Sequence, residues 1–207
     1  MAVVILKESL VIRFIRCAAI ALMLVPMMGA AQGLRDGAAA YSSGDYAKAL
    51  RDWTPLAEDG DVAAQRFLGH MYRKGIGVLQ DDAEAAKWYR RAAEQGDADS
   101  QASLGIMYAF GFGVPQDDAE AAKWYRRGAE QGDAASQYLL GLTYGIGTGV
   151  PKDFIAAHMW LNLSAAQGNE NAASKRDLAA AKMPPADISE AQRRAKVCLA
   201  SNYKDCD

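Results

Sequence analysis

The segment QDDAEAAKWYRR occupies Gln80–Arg91 and occurs again, unchanged, at Gln116–Arg127. Extending the comparison in both directions aligns residues 61–96 with 97–132 without a gap, and 25 of the 36 positions are identical. A more diverged third copy follows at 133–168 and keeps the closing Ala166-Gln167-Gly168. A fixed period of this length is the signature of stacked supersecondary units, so the sequence predicts a solenoid.

Each copy of the repeat predicts two helices. In Val62–Lys74 the apolar residues recur at three- and four-residue steps, and in Asp82–Gln95 alanines and aromatics share one stripe. Gly75 and Gly77 follow the first helix and predict left-handed backbone in the loop between the two helices. Gly69 lies inside the first helix and recurs in both later copies. A glycine there costs up to about 1 kcal/mol in helix propensity, so we expect a neighbouring helix to approach closely.

The two ends of the array differ from the repeats, as capping units do. Residues 32–60 predict a half-sized leading unit of two helices around a tight turn, and 169–207 predict a C-terminal helical cap and tail. The predicted fold is therefore all-α, a right-handed α-solenoid of antiparallel helix hairpins. Its predicted segments are 1–31, 32–60, the repeats 61–96, 97–132 and 133–168, and 169–207.

The N-terminal segment predicts a secretory signal peptide. A basic flank with Arg13 and Arg16 precedes a short apolar run at Cys17–Met28, and small residues follow up to Ala31. We expect cleavage after Ala31, with an uncleaved membrane anchor as the alternative. Cleavage is favoured because the two arginines interrupt the longer apolar stretch that an anchor would need. These features predict a periplasmic or secreted protein with no membrane span after signal removal.

Charge and cysteine content narrow the class of protein further. The formal net charge is −2 and becomes −4 without residues 1–31, which disfavours nucleic acid as a partner. The two cysteines outside the signal, Cys198 and Cys206, lie near the C-terminus. In an oxidising compartment they can close a small loop. Two free thiols or a pairing between chains are the alternatives.

The repeat resembles that of the Sel-one-like repeat family, a relative of the tetratricopeptide repeat. The resemblance rests on Leu68-Gly69 with Tyr72, the loop from Gly75 to Asp81, and the pairs Trp88-Tyr89 and Gln95-Gly96, which recur in the second copy and partly in the third. It covers nearly all of 35–168. The leading unit, with Gly44-Asp45-Tyr46, is closer to the tetratricopeptide form.

The resemblance implies an adaptor or scaffold that binds a protein or peptide. Exported bacterial members are linked with envelope regulation, polysaccharide export and host contact. One cysteine-rich branch is associated with penicillin binding or hydrolysis, but the repeats of this chain contain no cysteine. A protein-binding scaffold is therefore the first hypothesis, and we expect it to be a monomer. An envelope enzyme acting on cell-wall or β-lactam-type substrates and a structural subunit of an envelope assembly are the alternatives.

By analogy with tetratricopeptide proteins, a ligand lies on the concave face, which the first helix of each repeat lines. This face is predicted to be basic at one end and apolar or aromatic at the other. It fits a peptide with an acidic part and an apolar anchor. The alternative is that the differences between the repeats at these positions are sequence drift on an unoccupied surface. The predicted positions are Ala63, Arg66, His70, Arg73 and Lys74 in the first repeat, Asp99, Ala102, Ile106, Ala109 and Phe110 in the second, and Ala135, Tyr138, Leu142, Gly145 and Ile146 in the third.

Catalytic and cofactor motifs are not evident in the sequence, so an enzyme is disfavoured. His70 and His158 occupy non-equivalent helices and have no Cys, Asp or Glu at metal-ligand spacing. A nucleophile and base would have to converge from different repeats, for example Ser103 with His70. We therefore expect no catalytic residues, no metal and no cofactor.

Overall fold

The computed structural model describes residues 31–206, and all regular structure in that range is α-helical. The predicted signal peptide lies outside the described residues, apart from Ala31. The first helix, α1, covers 31–42 of the described range. The others are α2 (Tyr46–Glu58), α3 (Val62–Lys74), α4 (Asp82–Glu94), α5 (Ala98–Phe110), α6 (Asp118–Ala129), α7 (Ala134–Ile146), α8 (Phe154–Ala166), α9 (Glu170–Ala180) and α10 (Pro185–Ala200). The chain divides into two units, Met1–Ala64 and Gln65–Asp207.

In the first unit, α1 and α2 form a hairpin around the side chain of Trp53. Its indole N–H donates a hydrogen bond to the carbonyl of Leu34 at 3.2 Å, and Tyr41 packs beside it at 5.8 Å between ring centroids. A Cβ atom on Gly37 would lie 2.3 Å from the indole nitrogen, so this close packing requires glycine. The turn between the helices contains Gly44 at φ +84°. The tight turn predicted at this position is confirmed.

The helices of the repeats start at a repeated cap. Asp81, Asp97, Asp117, Asp133 and Asp153 precede α4 to α8, and each side-chain carboxylate accepts a hydrogen bond from a backbone N–H in the first turn. The first helices of the repeats end at glycines with positive φ, such as Gly75 and Gly77 after α3. The capping aspartates and the terminating glycines both recur every 36 residues, so the hairpins have the same length.

Close packing within each hairpin depends on the glycine in the middle of the first helix. A Cβ atom on Gly69 would lie 2.8 Å from the ring of Tyr89, and one on Gly105 would lie 2.5 Å from that of Tyr125. In the third repeat the neighbour of Gly141 is Leu161, at 2.7 Å. The predicted close approach of a neighbouring helix at these glycines is confirmed.

Polar contacts between first and second helices recur with the repeat. Gln95 donates to the side-chain oxygen of Gln65 at 2.8 Å, and the glutamines 36 and 72 residues further on make the same bond at 2.7 and 2.9 Å. Arg90 of α4 donates to the hydroxyl of Tyr108 in the next repeat at 2.5 Å, and Arg126 donates to Tyr144. The latter contacts link one repeat to the next.

The C-terminal cap covers the last repeat with α9 and α10, which both pack on α8. Cys198 and Cys206 form a disulfide whose sulfurs are buried with the core of the last repeats. Between them the chain turns back at Tyr203, which has φ +64° and packs on Gly132 at the end of the second repeat. The tail is thus part of the fold.

Candidate functional site

The predicted binding positions lie on the first helices, and we call the surface formed by Arg66, His70, Arg73 and Lys74 of α3 with its counterparts on α5 and α7 the α3–α5–α7 face. Its most exposed apolar side chains are Phe110 and Ile146, each 66% exposed. They occupy the same position in successive repeats, which is held by Lys74 in the first. The first helices of the second and third repeats thus each expose one large apolar side chain at this position.

The basic end of the face carries less net positive charge than the sequence predicted. The guanidinium of Arg66 lies 3.2 Å from a carboxylate oxygen of Asp97 and also contacts that of Asp99. The structure therefore joins two predicted partner-binding residues, Arg66 and Asp99, to each other. Their charges compensate, so Arg73 and Lys74 carry the positive charge at this end.

His70 is half-buried beside those two cations. Burial lowers its pKa, and the neighbouring charges of Lys74 and Arg73 lower it further. The imidazole is therefore mainly neutral at pH 7 and adds little charge to the face.

Arg73 connects the basic end to the aromatic part of the face. Its guanidinium lies 5.0 Å from the ring centroid of Phe112, and that ring stacks on Phe110 at 5.6 Å with an interplanar angle of 21°. A cavity of about 300 Å³ opens beside Arg73, Lys74 and Phe112, and Asp82 also contributes to its lining. Phe112 is in the inter-helix loop and was not predicted as a site residue. Phe112 contacts Arg73 of the preceding repeat only because the repeats pack on one another.

The apolar end of the face contains a pocket. It has a volume of about 220 Å³ and lies between α7, α8 and α9, with Leu142, Gly145 and Ile146 on its α7 side. Some predicted positions contribute less to the open surface. Ala102 is buried at 7% exposure, so it does not line the face as predicted, and Ile106 and Tyr138 are half-buried, with Ile106 packed against the core.

Sequence reasoning missed the residues that α9 and the turn after it bring to this pocket. These are Lys175, Leu178 and Lys182. Leu178 stands 36 residues after Leu142, and Lys182 stands 36 after Ile146. The period therefore extends into α9, although the residue types change enough to hide it.

Ser103 and the two histidines are the groups that the enzyme hypothesis considered, and the structure describes the surroundings of each. No cluster of three metal-binding side chains is found within residues 31–206. Ser103 shares a side-chain hydrogen bond with Tyr89, a core residue whose pKa is raised by burial. His158 is buried in α8, on a different element from His70. Over the same residues, no helix combines the length and apolarity that crossing a bilayer requires.

Known proteins share both the repeat and the fold. The crystal structure of a Sel1 repeat protein from Oxalobacter formigenes has a TM-score of 0.66 and 34% sequence identity, covering 69% of this chain and 58% of that one. That of c5321, a protective antigen present in uropathogenic Escherichia coli strains and displaying an SLR fold, has a TM-score of 0.50 and 27% identity, covering 86% of this chain and 47% of that one. This chain thus spans about half the length of these proteins. Comparison with curated proteins gives no significant match.

The family model of the Sel1 repeat matches three successive segments of the sequence, residues 62–97, 98–133 and 134–169. These segments have the 36-residue period found in the sequence and together cover just over half of the chain. Each contains one helix hairpin, from α3 and α4 in the first to α7 and α8 in the third. The chain therefore belongs to the Sel1 repeat family.

Proposed function

We propose that the protein is an exported scaffold that binds a partner polypeptide along the α3–α5–α7 face. The bound segment has apolar anchors, which contact Phe110 and Ile146, and an acidic part, which lies near Arg73 and Lys74. Sel1 repeat proteins are generally non-catalytic scaffolds for protein–protein interaction. The exposure of Phe110 and Ile146 at one recurring position is the observation that carries the proposal.

Charge supports an acidic partner at one end of the face. Arg66 is compensated by Asp97 and Asp99, whereas Arg73 and Lys74 form no ion pair among the described residues. Arg73 and Lys74 also stand beside the aromatic pair Phe110 and Phe112. An acidic residue next to an apolar one would satisfy both groups, and the charge would mainly raise the association rate and specificity.

Export is supported by two independent features of the chain. The first is the basic and apolar pattern of residues 1–31, which is typical of a cleaved signal peptide. The second is the buried disulfide between Cys198 and Cys206, since disulfides persist mainly in oxidising compartments. The protein would act as a monomer in the periplasm or outside the cell.

Site-specific cross-linking tests the binding face. A photo-reactive amino acid at Phe110 or Ile146 is expected to capture a defined partner in cells. The matched control is Leu79, which is 92% exposed but lies in the loop between α3 and α4. The substitutions Phe110→Ser and Ile146→Ser should each weaken partner binding about tenfold, as expected for loss of one apolar anchor. Equal capture from Leu79 and from the face would contradict the proposal.

A further inference from the structure

The pocket at the apolar end of the face combines an apolar lining with a cationic rim. Leu142 and Ile146 of α7 and Leu178 of α9 form its walls, and Ala157 and Leu161 of α8 contribute to its lining. Its volume of about 220 Å³ is below the ~300–1,000 Å³ of small-molecule sites. A space of this size fits one large side chain better than a cofactor.

Two lysines stand at this pocket without a counter-charge. Lys175 and Lys182 are both exposed, and neither forms an ion pair with any residue in 31–206. No acidic residue lines the pocket, and the ammonium of Lys182 lies 5.8 Å from the ring centroid of Phe154. A ligand that fills the pocket therefore meets positive charge at its edge.

The spacing of these lysines sets the geometry of the ligand. Lys182 stands seven positions after Lys175, which corresponds to roughly 10 Å along the helix axis at 1.5 Å per residue. An extended chain advances about 3.3 Å per residue and points every second side chain to the same face. Acidic residues two positions before and two positions after an apolar residue would therefore share its face, about 13 Å apart, within reach of the two flexible lysine side chains.

We propose that this pocket takes one large apolar side chain from an extended segment of a partner polypeptide. Acidic residues two positions before and two positions after that side chain pair with Lys175 and Lys182. The inference rests on the proposed function and adds an anchor site formed in part by the C-terminal cap. It also gives the cap a role in binding besides closing the end of the repeat array.

Gly145 offers a way to block the pocket without disturbing the core. A Cβ atom there would meet only the Cβ of Ala157, at 3.7 Å, which is ordinary van der Waals contact. Gly145→Leu is therefore expected to fill the pocket, while Gly145→Ala is the matched control that leaves most of it open. Urea unfolding of both variants checks that neither loses stability.

Fluorescence polarisation with a labelled peptide, Ser-Glu-Ser-Phe-Ser-Glu-Ser, tests the site on the full chain. The peptide should bind at least about tenfold more tightly than its version with serine in place of phenylalanine. Gly145→Leu should remove that difference and Gly145→Ala should retain it. The double variant Lys175→Glu/Lys182→Glu should weaken peptide binding at least about tenfold. Lys196→Glu reverses one charge on α10, away from the pocket, and should not weaken it.

Equal binding of the two peptides, or binding that Gly145→Leu leaves unchanged, would overturn the inference. The proposed function is tested separately through the partner cross-linked at Phe110. If that partner binds Gly145→Leu as tightly as the unaltered protein, the pocket is not its anchor site and the binding face still stands. If the cross-linker at position 110 captures no partner but the peptide binds as described, the proposed function of the α3–α5–α7 face is wrong. The inference about the pocket is then still supported.

Discussion

At the scale of single residues, glycine serves two different purposes in the first helices. Gly105 allows the ring of Tyr125 to approach the backbone of α5, and the same need recurs at Gly69 and Gly141. Gly145, one turn after Gly141, faces the pocket instead and is not crowded. Recurrence in the sequence was enough to predict the packing role. The open space beside Gly145 depends on α9 and was not predictable from the repeat.

Alanine substitutions at Gly105 and Gly145 should have different effects on stability. Gly105→Ala would place a methyl group 2.5 Å from the ring of Tyr125, so we expect it to lower the free energy of unfolding by about 1–3 kcal/mol. Gly145→Ala should leave that free energy unchanged or raise it by up to about 1 kcal/mol, because alanine favours the helix. Urea unfolding followed by tryptophan fluorescence measures both. A similar change for the two variants would contradict this assignment.

At the scale of helices, the stacking of repeats decides which charged side chains remain available to a ligand. The sequence placed Arg66 and Asp99 on one face as separate binding residues, but it gave no register between α3 and the start of α5. In the structure that register brings Arg66 to Asp97 and Asp99. Conversely, the caps and the helix bounds follow from local signals such as Asp81 and Gly75, and these were predictable.

The pairing of α8 with α9 buries His158 and makes stability depend on pH. Its pKa is lowered by burial and by Arg176, and Asp177 opposes the shift only in part. The unfolded state therefore binds more protons than the folded state as pH falls below about 6.5, and stability is lost over that range. At higher pH both states are neutral at this site and the full stability is present.

His158→Gln should flatten this dependence. Between about pH 8 and pH 5 the free energy of unfolding of the unaltered protein should fall more than that of the variant, as measured by urea unfolding at each pH. His70→Gln is the useful comparison, since the pKa of His70 is also lowered and its removal should flatten the curve as well. Parallel curves for the unaltered protein and His158→Gln would show that this histidine is not linked to folding.

At the scale of the whole molecule, the described chain is a short array whose C-terminal end is closed by its own tail. The 36-residue period predicted the hairpins, and the change of pattern after Gly168 predicted a cap. That the tail returns to Gly132 was not predictable, because it depends on Asn202 and Tyr203 adopting left-handed backbone. Residues other than glycine adopt that conformation at some cost, so surrounding contacts must hold it in place.

The disulfide between Cys198 and Cys206 is the covalent part of that closure, and its loss should destabilise the array. It bridges a sequence separation of 8 residues, and a loop of that size predicts a loss of about 2–3 kcal/mol in the free energy of unfolding on reduction. Because Tyr203 and Lys204 lie within the loop, reduction should also speed tryptic cleavage after Lys204. Cys198→Ser/Cys206→Ser should resemble the reduced protein and should not respond to reductant. If reductant changes neither the unfolding midpoint nor the cleavage rate of the unaltered protein, packing alone holds the tail, and the bond is dispensable for closing the array.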